Sequence, residues 1–263
     1  MDTKFYAQQF ARWHSIWERK AAPILYRALV KTVNPVIASL DPDALIKKPW
    51  IDAYKEVYKL IGKEAASREY RQLRRDNPTK EDLDIVSFYN AQWQLTMERY
   101  GSDIAFDFAD DLNDTTIAEI RRVLAYSFSN NYTNRQIADA LRGYLLDDGK
   151  VRALRIARTE ATTAASIGKN EGAKTYFKEI GETEGFKMWI SRADTAVRHS
   201  HVEANETAVP FEEDFKIGFG QGLYPGDPKL KAEDRVNCRC TFVSLSKNGY
   251  NRRLRMGTVK PNK

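Results

Sequence analysis

The chain has 263 residues, of which 42% are hydrophobic and 30% charged, and its formal net charge is +6. No apolar stretch reaches the roughly 20 residues that a membrane span needs, and the N-terminus lacks the apolar core of a secretory signal. The 2 cysteines are too few for a disulfide framework. We therefore expect a globular protein, made and used in a reducing cytoplasm or in a particle assembled there, with no membrane contact.

Helical patterns dominate the first part of the chain. One helix is predicted around residues 50–76, where apolar residues recur at three- and four-residue intervals. These residues are Ile51, Tyr54, Tyr58 and Ile61. Pro35, Pro42 and Pro49 are expected to separate this helix from an N-terminal one, because proline interrupts helical hydrogen bonding.

Two residue pairs with the spacing of a capping box predict further helix starts. These pairs are Thr116 with Glu119 and Thr133 with Gln136, in which a hydroxyl and a carboxylate or amide satisfy free N–H groups of the first turn. Gly149 is expected to end the helix that follows Thr133.

The next predicted helix spans residues 150–181 and ends at Gly181. One stripe of it consists of small residues, namely Ala157, Ala161, Ala164, Ala165, Gly168 and Gly172. Small residues let another backbone approach closely, so we expect this helix to pack tightly against the domain that follows it.

Shorter patterns after Gly181 predict strands. Residues 186–191, a segment ending near Pro210 and residues 238–245 fit strands, and a loop rich in glycine and proline covers residues 218–228. The predicted fold class is α+β. A largely helical part covers residues 1–149, a small α+β domain with short strands and long loops covers residues 150–245, and a basic flexible tail covers residues 246–263.

Four residues with metal-binding side chains lie in the C-terminal part: His199, His201, Cys238 and Cys240. In an extended segment, residues i and i+2 point to the same side, so each pair offers a two-ligand face for a structural zinc ion. Two alternatives remain open. The cysteines can be small buried residues with His201 a hydrogen-bonded core histidine, or they can form a strained disulfide. We expect reduced thiols on the same side as His201, and zinc is the one candidate cofactor.

The whole positive excess lies in the tail. Its bases are Lys247, Arg252, Arg253, Arg255, Lys260 and Lys263, and no acidic residue accompanies them. Such a tail is either a solvated, mobile end or an arm that neutralises nucleic-acid phosphates or an acidic partner. In the second case, Arg252, Arg253, Arg255, Lys247 and Lys260 would contact DNA without sequence preference.

Four motifs follow one another in residues 150–245. They are Arg158-Thr159-Glu160, then Trp189 with Asp194, Arg198 and His201, then Tyr224-Pro225-Gly226-Asp227-Pro228, and finally Asn237-Cys238-Arg239-Cys240. In this order they resemble the C-terminal domain of phage Mu F-like minor head proteins, also called phage head morphogenesis proteins. The sequence departs from the family at Ala196, where a further arginine is common.

The resemblance implies a non-enzymatic virion component inside the capsid near the portal, present in the host cytoplasm during assembly. It would act in head morphogenesis and in DNA packaging or delivery. Its partners would be the portal protein, capsid or scaffold proteins and, through the basic tail, DNA. The helical N-terminal part would dock on the portal.

The motif residues have a structural interpretation. Asp194 and Arg198 can form a charge-assisted hydrogen bond, Asp227 can cap its own turn, and Asn237 can bond neighbouring backbone. We expect these contacts to hold together a small domain with little regular structure.

The alternative from another class is an enzyme, a nuclease or a transferase that uses Asp194, Arg198 and His201. The histidine would act as general acid or base and the arginine would stabilise developing charge. Ala196 counts against a mechanism that needs two arginines. A bare DNA-binding module is a third possibility, limited to non-specific contacts.

Overall fold

The computed structural model describes residues 2–76, 85–192 and 194–261, so Lys263 lies outside the described residues. The long helices are α1 (Thr3–Ser39), α2 (Lys48–Asp76), α3 (Ile85–Ser129), α4 (Asn134–Arg142) and α5 (Asp148–Glu179). A 3-10 turn (Pro42–Ala44) lies between α1 and α2, and a π-helical turn (Gly143–Asp147) joins α4 to α5. The prediction of a helix around residues 50–76 is confirmed by α2.

The prolines mark fewer boundaries than the sequence predicts. Pro42 begins the 3-10 turn, and Pro49 is the second residue of α2, where a missing N–H costs little. Pro35, however, lies inside α1. The helix continues past it because Val36 and Ile37 remain buried in the core.

One of the two predicted capping boxes is confirmed. The Thr133 N–H donates to Gln136 Oε1 at 2.8 Å, and the Gln136 N–H donates to Thr133 Oγ1 at 3.4 Å, at the start of α4. The box at Thr116 and Glu119 is wrong, because both residues lie within the uninterrupted helix α3.

The two glycines predicted to end helices differ in outcome. Gly181 follows the end of α5 with φ +66°, as predicted. Gly149 does not end a helix, because the helical path runs unbroken from α4 through the π-helical turn into α5. Close packing explains this glycine, since a Cβ atom there would lie 2.5 Å from Leu29 Cδ2 of α1.

Helix α5 is central to the core and packs against α1 and α2. A Cβ atom on Gly168 would lie 2.0 Å from the Gly62 carbonyl oxygen, and one on Gly172 would lie 2.2 Å from the Ala66 carbonyl oxygen. The tight contact expected of the small-residue stripe therefore exists, but its closest partner is α2, which precedes α5, and not the domain that follows.

The C-terminal part contains a four-stranded sheet and a small hairpin. The strands are β1 (Phe186–Ile190), β2 (Thr207–Pro210), β3 (Phe215–Ile217), β4 (Gly220–Gly222), β5 (Thr241–Leu245) and β6 (Lys260–Pro261). The sheet order is β5-β1-β2-β6, in which β1 is antiparallel to β5 and β2, and β6 is parallel to β2. Strands β3 and β4 form the hairpin. Short helices α6 (His199–Glu203) and α7 (Ala232–Arg235) connect these elements. The α+β prediction is confirmed.

The basic C-terminal segment has secondary structure, which differs from the expected mobile end. Ser246 caps the start of helix α8 (Lys247–Arg255), because its hydroxyl accepts a hydrogen bond from the Gly249 N–H at 3.2 Å. The Tyr250 ring stacks on Phe186 of β1 at 3.9 Å between centroids, so the helix is held against the sheet. Among the described residues, no helix is both long and apolar enough to cross a membrane.

Candidate functional site

Three buried side chains converge in the C-terminal part. His201 belongs to α6, and Cys238 and Cys240 lie in the segment between α7 and β5. His201 Nδ1 lies 3.3 Å from the Cys240 sulfur and 3.7 Å from the Cys238 sulfur. The three ligand atoms lie within 4.8 Å of one another, and the residues are only 1–2% exposed. We call these three residues the thiol–imidazole cluster. Both cysteines are free thiols on the side of His201, as predicted.

His199 does not join the thiol–imidazole cluster. It lies with His201 on a helix and not on an extended segment, and positions i and i+2 of a helix diverge by about 200°. The side chain of His199 is 87% exposed and its Nε2 lies 3.1 Å from Glu203 Oε1. The prediction that the two histidines share one face is therefore wrong.

A buried carboxylate supports the other side of the His201 ring. Asp234 Oδ1 lies 3.5 Å from His201 Nε2, and the Ser200 hydroxyl donates to the same oxygen at 2.9 Å. Trp189, one of the motif residues, packs edge-to-face against the imidazole at 5.4 Å between centroids. Sequence reasoning missed Asp234, although it lies close before the cysteines in the chain.

The two thiols of the cluster differ electrostatically. A hydrogen bond with Cys240 lowers the pKa of the Cys238 thiol well below its usual range, and His201 adds to this shift against the effect of burial. The same hydrogen bond and burial raise the pKa of Cys240. The arrangement thus favours a Cys238 thiolate that accepts a hydrogen bond from the Cys240 thiol. The thiolate is the form of cysteine that binds metals.

The predicted ion pair between Asp194 and Arg198 is wrong. Asp194 instead lies 2.9 Å from Arg239 Nη1 and accepts from the Ala196 N–H at 3.1 Å. Arg198 donates to the Val236 carbonyl oxygen. Both side chains therefore hold the loops around the cluster, but each does so with its own partners and the two are not paired with each other.

Two further motif residues shape loops. Asp227 caps its own turn, as predicted, by accepting from the Leu223 N–H at 2.7 Å and the Lys229 N–H at 2.9 Å. Asn237 has a left-handed backbone, with φ +58°. Its backbone N–H, and not the predicted side chain, makes the bond, donating to Thr159 Oγ1 of α5 at 3.0 Å.

The motif residues of α5 link it to its neighbours. Arg158 forms an ion pair with Glu18 of α1 at 2.8 Å. Glu160, which is buried, accepts from the Tyr58 hydroxyl of α2 at 2.6 Å and pairs with Arg235 of α7 at 3.1 Å. Burial raises the pKa of Glu160, while Arg235 opposes the shift.

The bases predicted to contact DNA differ in how exposed they are. Arg252 and Arg255 are exposed on α8, whereas burial lowers the pKa of Arg253, which is half-buried. Lys247 is ion-paired with an acidic side chain, and Lys260 donates to a backbone carbonyl oxygen at 3.2 Å. The two exposed arginines are therefore the best placed to reach a phosphate.

Helix α3 presents large apolar side chains to solvent. Phe88, Leu95 and Phe106 are 77%, 67% and 60% exposed. Phe88 and Phe106 are separated by about five helical turns and so lie on nearly the same line along the helix. We call these three residues the α3 stripe. They lie 7 and 11 residues apart along the helix, and apolar side chains exposed along one line of a helix can contact another protein.

Two curated proteins are similar to part of the chain. They belong to different classes, one being a phage head protein and the other an ADP-ribosyltransferase. The first is the minor head protein GP7 of Bacillus phage SPP1, 32% identical over 88 residues, which are 33% of this chain and 27% of that protein. The second is the NAD(+)–arginine ADP-ribosyltransferase EFV of Enterococcus faecalis, 35% identical over 94 residues, which are 36% of this chain and 19% of the enzyme.

The chain thus spans about a quarter and about a fifth of the lengths of these relatives. No protein-family model matches the chain, and no solved structure matches it significantly. The comparisons therefore show partial similarity to a phage minor head protein and, over a comparable share of the chain, to an ADP-ribosyltransferase. The Mu F-like family remains a prediction from the motifs.

Proposed function

We propose that the protein is a phage minor head protein that lies inside the capsid near the portal and acts, without enzymatic activity, in head morphogenesis and in DNA packaging or delivery. The observation that carries this proposal is the partial similarity to the minor head protein of Bacillus phage SPP1. The side chains of Arg158, Glu160, Asp194, Arg198 and Asp227 make contacts within the fold, which fits a structural role for these motif residues.

The structure offers little support for an enzyme that uses Asp194, Arg198 and His201. Asp194 is paired with Arg239, and Arg198 donates to a backbone carbonyl oxygen. His201 is 1% exposed and faces two thiols, so a substrate phosphate or sugar has no direct access to its ring. The similarity to the ADP-ribosyltransferase covers 19% of that enzyme, and the similarity to the minor head protein covers 27% of that protein, so coverage alone does not decide between them.

Docking on the portal is assigned to the helical N-terminal part, in this proposal through the α3 stripe. Burying Phe88, Leu95 and Phe106 against a partner would remove three large apolar side chains from water, each contributing roughly 1.5–3 kcal/mol. Burial of these side chains would therefore stabilise the complex.

Co-expression with the portal protein of the same phage tests the proposal. The two should elute together in gel filtration, and the triple variant Phe88→Ser, Leu95→Ser, Phe106→Ser should abolish co-elution. The control is Phe219→Ser in the β3–β4 hairpin, which removes a 94% exposed ring from the C-terminal part. Absence of a complex with the unaltered chain would overturn portal association, and a complex that only Phe219→Ser disrupts would overturn the docking surface.

A second assay addresses the enzymatic alternative. The purified chain is incubated with labelled NAD(+) and an arginine-containing peptide, and the peptide is analysed by mass spectrometry. We expect no transfer. Transfer that disappears in the His201→Ala variant, while that variant remains folded, would contradict the non-enzymatic assignment.

A further inference from the structure

The thiol–imidazole cluster has the geometry of a metal site. With Zn–S bonds of about 2.3 Å and a Zn–N bond of about 2.05 Å at tetrahedral angles, a zinc ion holds nitrogen and sulfur ligands about 3.6 Å apart. The two distances from His201 Nδ1 to the sulfurs of Cys240 and Cys238 are 3.3 and 3.7 Å. These values lie on either side of the expected separation.

Packing alone does not account for this convergence. A single ring nitrogen faces two sulfurs, and one nitrogen makes one good hydrogen bond with one thiol. The remaining sulfur would be left, almost fully buried, without a bond to the imidazole ring. A cation at the centre would satisfy all three atoms at once, and imidazole and thiolate are the ligands that zinc prefers.

Asp234 orients the histidine for this role. Its Oδ1 lies 3.5 Å from Nε2 without a hydrogen bond between the two atoms, and Nδ1 is the ring nitrogen that faces the sulfurs. A carboxylate that accepts from the other ring nitrogen is the usual support of a metal-bound histidine. The Ser200 hydroxyl holds the carboxylate in turn.

We propose that His201 Nδ1, Cys238 and Cys240 bind one zinc ion. The ion would join α6 to the segment that leads into β5. Both are short segments with few backbone hydrogen bonds of their own. The ligands are 1–2% exposed, so the role is structural. This site is independent of the proposed function in the phage head.

Metal analysis of the untagged full-length chain, purified under reducing conditions with zinc in the growth medium, tests the proposal. We expect one equivalent of zinc, lost in Cys240→Ser and His201→Ala and kept in His199→Ala, the matched control on the same helix. Asp234→Asn should weaken zinc affinity by roughly 10–100-fold in competition with a chromophoric chelator. Chelation should lower the melting temperature of the unaltered chain.

Cobalt binding by the unaltered chain tests the metal site even if the Cys240→Ser and His201→Ala variants do not fold. The metal-free unaltered chain, titrated with Co²⁺, should saturate at one equivalent with a tetrahedral visible spectrum and thiolate-to-cobalt charge-transfer bands. Folded chain that binds neither Zn²⁺ nor Co²⁺ would overturn the proposal. So would a native disulfide between the cysteines, or loss of metal from His199→Ala.

Discussion

Lys187 lies in β1 with a fully buried side chain. Its ammonium nitrogen has no hydrogen-bond partner among the described residues and faces the rings of Phe211 and Phe215, with centroids at 5.8 and 5.3 Å. Burial lowers the pKa of this lysine to about 7, although the carboxylates of Asp214 and Glu212 oppose the shift. At neutral pH this residue therefore costs stability, because the folded state holds its proton less readily than the unfolded state does.

The variant Lys187→Met should be more stable than the unaltered chain at pH 7, by on the order of 1–4 kcal/mol, because a pKa lowered by one unit corresponds to about 1.4 kcal/mol. The folded pKa of about 7 is below the unfolded value of about 10.4, so between these values the unfolded state binds more protons and the stability of the unaltered chain rises with pH. Methionine removes this dependence, and the difference should narrow by pH 9. Urea unfolding at pH 7 and pH 9 measures both effects.

The control for this prediction is Lys229→Met, which removes an exposed lysine side chain. It should change neither the stability nor its pH dependence appreciably. Equal pH dependence of the Lys187→Met variant and the unaltered chain would show that Lys187 is not the titrating group.

Helices α2 and α5 approach each other closely at Gly168 and Gly172 of α5. Gly168→Ala places a Cβ atom against the Gly62 carbonyl oxygen, which is backbone and cannot rotate away. The helices must separate, and we expect the unfolding free energy to fall by at least roughly 1–3 kcal/mol. Thermal unfolding followed by circular dichroism measures this decrease.

Gly143→Ala is the matched control on the same helical path. A Cβ atom there has no neighbour within 4 Å among the described residues, and alanine favours helical backbone. This variant should be neutral or slightly stabilising. If both variants were destabilised equally, close packing at Gly168 would not be the cause.

Helix α8 carries the charge that we expect to contact DNA. The double variant Arg252→Gln, Arg255→Gln should weaken binding about equally for all sequences and lower the salt dependence of log K by roughly 0.9 for each phosphate that the variant no longer neutralises. Fluorescence anisotropy with two unrelated duplexes over a range of salt concentrations measures both quantities.

A charge-matched control separates the local effect of α8 from the effect of net charge. Arg12→Gln, Arg19→Gln removes two exposed arginines from α1. If the two double variants changed the salt slope equally, net charge and not α8 would account for binding.

The limits of sequence reasoning appear clearly at these elements. Thr116 and Thr133 are each followed, at the same spacing, by a residue that can complete a capping box. Only Thr133 comes after the end of a helix, which is marked by the left-handed backbone of Asn131. A local motif does not reveal whether the preceding helix has ended. Similarly, Gly149 and Gly181 each follow a helical pattern in the sequence, so the sequence predicts that both end a helix. Only the structure shows that Gly149 packs against Leu29 inside a continuous helical path.

The candidate site was predictable in part for a chemical reason. Cys238, Cys240 and His201 are rare residue types close to recognisable motifs, so their convergence could be expected. Asp234 could not be singled out, because it is one of 36 acidic residues and only the fold brings it to the ring. The error at His199 came from expecting a strand where the chain makes a single helical segment.

At the scale of the whole molecule, α5 belongs to both parts of the chain. It packs against α1 and α2 and also bonds the C-terminal loops, where Thr163 donates to the Gly226 carbonyl oxygen at 2.8 Å. We therefore expect residues 150–263, produced alone, to lack a cooperative thermal transition, because one face of α5 would be exposed to water.

Co-expression of residues 1–149 with residues 150–263 should restore the transition, since the missing face is then covered. Circular dichroism melting of the fragment and of the co-purified pair provides the measurement. Cooperative melting of the isolated fragment at the temperature of the full chain would show that the C-terminal part folds without α1 and α2.

The glycine contact between α2 and α5 also has an evolutionary consequence. A genetic exchange with its breakpoint near residue 149 would bring in α5 without the α2 backbone that fits against Gly168 and Gly172. Most foreign helices in that position would present a side chain where only a carbonyl oxygen fits. The two helices should therefore be inherited together, so that successful breakpoints fall before α2 or after α5 and only rarely between them.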